Sequence, residues 1–156
     1  MTITNVLTLK QIAFLTPAMQ IVLIATLFCL TTVLQLREYR RTGKLWVHYP
    51  VGTSLLFVPI YEEILFRGLI FVGLMSLYSA PAALVVSSLL FGLWHFKNIF
   101  WLNKKDLTYQ MLYTGLVFGP IVAYFTLITG TIWLGVIFHY LNNLLAPYSF
   151  KELANS

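Results

Sequence analysis

A chain of 156 residues that is 59% hydrophobic and only 10% charged cannot cover a water-soluble globule, because a soluble domain carries roughly a quarter of its residues as charges. The net charge of +5 does not point to nucleic acid, since the basic residues sit in short clusters between apolar runs rather than interleaved with exposed aromatics. The lone Cys29 excludes a disulfide within the chain.

A spanning helix needs about 20 mostly apolar residues. The first candidate runs from about Ile12 to Leu36; Lys10 precedes it, and it is too long for the apolar part of a cleavable signal. It ends in a basic loop with Arg37, Arg40, Arg41 and Lys44. A second span, from about Val51 to Tyr78, is interrupted by Glu62, Glu63 and Arg67. The third starts near Pro81, a residue suited to a first helical turn, and reaches about Trp101. The fourth covers about Leu107 to Ile128, with a kink expected at Gly119-Pro120. The fifth is short, from Thr131 to about Ala146, and is expected to stop at Pro147. The expectation is therefore an all-α, polytopic bundle of about five transmembrane helices forming a single membrane domain over residues 1–156, with no repeat and no linker.

Lysines and arginines fall on alternate connections. The end of the third helix and the loop after it carry Lys97, Lys104 and Lys105, and Lys151 lies in the tail, whereas the turns Ser79–Ala80 and Thr129–Gly130 carry no basic residue. That pattern orients the N-terminus outside and the C-terminus in the cytoplasm, with only Lys10 against it. Trp46, Tyr49, Trp101, Tyr109 and Tyr148 then fall at the inner interface, and Tyr78 and Trp133 at the outer one. His48, beside Trp46 and Tyr49, reads as an interfacial residue.

An ionised side chain within a spanning helix costs about 2.5–3.5 kcal/mol on insertion scales, so the run Glu62-Glu63-Ile64-Leu65-Phe66-Arg67 needs a reason. Glu63 and Arg67 are four apart and can pair on one face, which a purely structural role would also explain. Glu62 lies about 140° around an ideal helix from Arg67 and needs a partner from elsewhere. His95 in the third helix and His139 in the fifth offer one, and Asn143 lies one turn from His139. A lone intramembrane histidine is more often a satisfied core residue, but Glu62, His95 and Asn143 all fall in the cytoplasmic half of their helices. A glutamate with a histidine can deprotonate water, and an imidazole with an amide can donate to an oxyanion. Two histidines and a glutamate could equally hold a metal. Other intramembrane protease types are poorly supported: HExxH and GxSxG are absent, and Asp106 is the only aspartate.

Glu62-Glu63-x-x-x-Arg67, Phe91-x-x-x-His95 and His139-x-x-x-Asn143, in that order on successive apolar helices, resemble the motifs of the CPBP family. That family comprises the CAAX prenyl endopeptidases and bacteriocin-processing enzymes, also called the Abi family. The resemblance covers about residues 51–147 and leaves one helix, about 12–36, before the motif core. It implies a multi-pass cell-membrane endopeptidase acting on a membrane-associated protein or peptide. Glu62 and His95 would activate water, His139 and Asn143 would form the oxyanion site, and Glu63 and Arg67 would orient the others. No cofactor is expected, because Asn143 suits an amide donor better than a zinc ligand. Zinc held by Glu62, His95 and His139 is the alternative. A non-enzymatic membrane protein of the same fold, such as a bacteriocin immunity or partner-binding protein, is the other reading.

Overall fold

Where no water is available, a backbone must satisfy its own polar groups, and the apolar runs do so as helices. In the computed structural model, which describes residues 1–42, 53–100 and 102–154, every regular element is helical, apart from an isolated antiparallel bridge between Ile12 and Leu15. Lys44, Trp46, His48, Tyr49 and Trp101 lie outside the described residues, as do the side chains of Tyr148 and Lys151. The chain forms two units, Met1–Thr8 with Glu62–Gly135, and Leu9–Tyr61 with Val136–Ser156.

The first unit opens with a helix that the apolar pattern did not reveal, α1 (Ile3–Leu7). Five residues cannot satisfy their own terminal carbonyls, and the segment 131–133 does it for them. Ile132 N–H donates to Val6 O at 3.0 Å, Trp133 Nε1 to Leu7 O at 2.9 Å and Thr131 Oγ1 to Thr8 O at 2.8 Å. Gly68 gives α1 room, since a Cβ there would lie 3.3 Å from Leu7 Cδ2.

The second apolar run is a chain of three helical segments. Helix α3 (Thr53–Glu63) passes into a π-helical stretch, Ile64–Phe71, and then into α4 (Val72–Met75). Helix α5 (Ala80–Trp94) begins with Pro81 in its first turn and tightens into a 3-10 segment, His95–Phe100. Asn103 then caps α6 (Lys104–Tyr113) by accepting from Asp106 N–H at 2.9 Å. The expected irregularity in the fourth run is present, as a second π-helical stretch, Thr114–Phe118, immediately before α7 (Gly119–Thr129). Pro120 has no N–H to give to a preceding carbonyl, so a change of hydrogen-bond pattern just ahead of it is the expected relief. Gly130, at φ 66°, ends α7 in the left-handed conformation that glycine adopts without strain.

Small residues let α5 approach its neighbours. A Cβ on Gly92 would lie 2.7 Å from Gly115 Cα and from Met111 O, so the two backbones are in direct contact. Buried Ser87 and Ser88 turn their hydroxyls to Leu84 O at 3.1 and 2.7 Å and need no partner from another helix. Around them Phe66, Phe91 and Phe118 form the aromatic core. Among the described residues, two helical stretches, Ala80–Phe100 and Lys104–Thr129, are long and apolar enough to cross a membrane. Only 33% and 39% of their apolar windows are buried, and Val85, Leu89, Leu93, Leu116, Val117 and Tyr124 face outward. Lipid accepts such a surface, while water does not.

The second unit corrects two boundaries. The first apolar run does not begin a helix at Ile12: residues 12–15 form a tight turn with Ala13 at φ 48°, and α2 runs from Pro17 to Thr42, through the arginines. Gln20 of its first turn donates to the carbonyls of Lys10 and Leu15, which holds the turn against the helix. Nor does Pro147 stop the last helix, since α8 extends over Trp133–Ala154. A proline inside a helix removes one backbone donor and strains one turn, but the helix can resume beyond it.

Candidate active site

Glu62 is the last residue but one of α3, and its side chain is almost wholly buried. Its Oε1 accepts from Trp94 Nε1 at 2.9 Å and from Lys97 Nζ at 3.0 Å. The ammonium of Lys97 also lies 4.2 Å from the centroid of the Trp94 ring, over its face. Residues three apart share a face where α5 tightens into a 3-10 turn, which places Trp94 and Lys97 one above the other. The partner that Glu62 needed thus comes from the C-terminal end of the third apolar run.

His95 sits between them in sequence. Its Nδ1 lies 2.9 Å from Phe91 O, one turn back. A carbonyl can only accept, so Nδ1 carries the proton, and in the neutral ring Nε2 holds the lone pair. Thr114 Oγ1 is 3.4 Å from the same nitrogen while donating to Gln110 O at 2.7 Å, and Phe91 packs edge-on against the imidazole at 4.9 Å. The ring is held on two sides by α5 and by the start of the second π-helical stretch.

Glu63 and Arg67 form a buried ion pair, with Arg67 Nη1 3.2 Å from Glu63 Oε1. Arg67 Nη2 donates to Gly119 O at 3.2 Å, and its guanidinium lies 4.3 Å over the Phe91 ring. Gly135 matters on the far side: a Cβ there would fall 3.3 Å from Glu63 Oε2 and 2.6 Å from Val122 Cγ1. This pair therefore ties the π-helical stretch Ile64–Phe71 to α5 and α7, and Phe91 serves both Arg67 and His95.

A family model, type II CAAX prenyl endopeptidase Rce1-like, matches residues 44–145, about two thirds of the chain. The chain belongs to this family. The Rce1-like proteins are CPBP-family intramembrane proteases. No curated protein and no solved structure gives a significant match.

In this Rce1-like chain the first unit brings together Glu62 with Trp94 and Lys97, Glu63 with Arg67, and His95 with Phe91 and Thr114. His139 and Asn143 belong to the second unit, on α8, where His139 is buried and Asn143, one turn along, is half-buried. Sequence reasoning missed Trp94, Lys97 and Thr114. Lys97 was legible only as a topology charge, although Trp94-x-x-Lys97 flanking a motif histidine is a same-face pair on any helix. Among the described residues, neither unit contains a group of three or more His, Cys, Asp and Glu able to hold a metal. At Glu62 one carboxylate oxygen accepts from both an ammonium and an indole N–H.

Proposed function

We propose that this member of the Rce1-like family is a glutamate-dependent intramembrane endopeptidase that hydrolyses a peptide bond in a membrane-associated protein or peptide. What supports the reading most is the buried Glu62 carboxylate, compensated by Lys97 and held by Trp94, in the same unit as a histidine whose Nδ1 proton is committed to Phe91 O. In this reading Glu62 takes a proton from water as the oxygen attacks the scissile carbonyl, with His95 Nε2 as the second polar group on that water. His139 and Asn143 donate to the oxygen that becomes negative in the tetrahedral intermediate. Glu62 then returns the proton to the leaving amine. Glu63 and Arg67 hold the π-helical stretch that follows Glu62. The bundle crosses the membrane about five times with the N-terminus outside, and the chemistry needs no metal.

A prenylated CAAX peptide is the first substrate to try, given the family. The purified protein in lipid nanodiscs is incubated with it and with leader and sorting-helix peptides, and products are read by mass spectrometry. Glu62→Gln is expected to lose at least about 100-fold in rate, while chelator leaves the wild type unchanged. Full activity in Glu62→Gln would sink the assignment; stoichiometric zinc whose removal and return switch cleavage off and on would sink its metal-free form.

A further inference from the structure

Nothing in the side chain of Glu62 itself fixes the plane of its carboxylate. The last torsion of a glutamate is a broad, two-fold rotor, so a general base on that side chain is aimed only by what bonds to it. Here two donors converge on one oxygen: Trp94 Nε1 at 2.9 Å and Lys97 Nζ at 3.0 Å, both to Oε1. Neither donor is loose. The indole is packed edge-on against Phe66 at 5.8 Å, and the ammonium rests on the indole face.

The burial of this ion pair is one-sided. The Glu62 side chain is 3% exposed and that of Lys97 is 41% exposed. A fully exposed lysine pair is weak because water screens it and because the long side chain must be ordered. This ammonium meets a carboxylate shielded from water, where the attraction is stronger, and the aromatic face beneath it adds a further hold. A lysine serving only to orient the chain in the bilayer would have no need to reach inward to a buried carboxylate.

We infer that Lys97, braced by Trp94, is a positioning residue for the proton-transfer step, fixing the Glu62 carboxylate by Oε1 and balancing its charge. The inference rests on Glu62 being the base. Lys97 acts through Glu62 and does not itself touch the reacting atoms, so its loss lowers kcat and leaves KM unchanged.

The test uses the full chain in nanodiscs with a prenylated CAAX peptide as probe. Lys97→Met is expected to lose about 10- to 100-fold in kcat, the cost of a misaimed catalytic group, and Lys97→Arg to recover most of it. Trp94→Phe keeps the ring and removes the N–H, and it should fall between the two. Lys105→Met removes an equal charge from the first turn of α6 and should leave kcat unchanged. Wild-type kcat in Lys97→Met, or a loss confined to KM, overturns the inference while an inactive Glu62→Gln leaves the functional reading standing. An active Glu62→Gln overturns both. A readout independent of turnover is the Trp94 indole N–H resonance, assigned with Trp94→Phe. It should shift in Glu62→Gln and in Lys97→Met, and a resonance unmoved by both would show that the three groups do not meet.

Discussion

Arg67 is a buried guanidinium, and three groups from three directions compensate: the Glu63 carboxylate, the Gly119 carbonyl and the Phe91 ring. Removing one partner of a buried ion pair leaves the other charge uncompensated, at about 3–5 kcal/mol. Glu63→Gln should therefore lower the thermal midpoint of the purified protein clearly and reduce activity with it. Replacing the pair together, as Glu63→Gln with Arg67→Met, should recover part of the midpoint without recovering activity. An unchanged midpoint in the single variant would mean that the pair contributes nothing to the fold. This pair was legible in the sequence because a spacing of four stacks two side chains on either helix type. Glu62 was legible only by its lack of an in-helix partner. The step of 100° per residue that separated it from Arg67 describes an α-helix, and the chain turns into a π-helix at Ile64. Lys97 escaped notice for a different reason: topology had already given it a use.

Helix packing supplies a sharper test than helix propensity does. Gly92 and Gly115 bring α5 and the second π-helical stretch into backbone contact, and the atoms a new methyl would meet, Gly115 Cα and Met111 O, are themselves backbone. They cannot swing aside as a flexible side chain would. Gly92→Ala should cost about 1–3 kcal/mol by overpacking, and it should impair activity as well, since His95 follows within one turn. Gly73→Ala is the control, because a Cβ there meets nothing within 4 Å; replacing a helical glycine should leave the midpoint unchanged or raise it. Equal midpoints in the two variants would show that the crossing is looser than its geometry implies. Apolar runs revealed the helices 53–75, 80–100 and 104–129 almost to their ends. They could not reveal α1, which is too short to carry a period and gains its carbonyl partners from residues more than a hundred positions away. Rules for local breakers also misjudged Pro147, where the helix resumes beyond the proline.

At the scale of the whole molecule, orientation in the membrane decides which substrates can reach Glu62. Charge counting gives the orientation, and packing within the first unit says which groups share an end. Within the first unit, the run Ala80–Phe100 returns through a short loop as Lys104–Thr129 and packs along it, so the turns at Ser79 and Gly130 share one end. The opposite end carries Lys97, Lys104 and Lys105, together with Glu62, to which Lys97 is bonded. The N-terminal residues settle at the lysine-free end, because Val6, Leu7 and Thr8 accept hydrogen bonds from residues 131–133. Cytoplasmic connections are the ones enriched in lysine and arginine, so Glu62 should open toward the cytoplasm. The prediction is that cysteines introduced at Thr2 and Ser79 in a Cys29→Ser background react with an impermeant maleimide added to intact cells. A cysteine at Lys105 should react only after the cells are opened. A reporter fused to the C-terminus should read as cytoplasmic, as Lys151 and the arginines of α2 require. Labelling at position 105 in intact cells, with none at 79, would place Glu62 on the outer side and exchange cytosolic substrates for external ones.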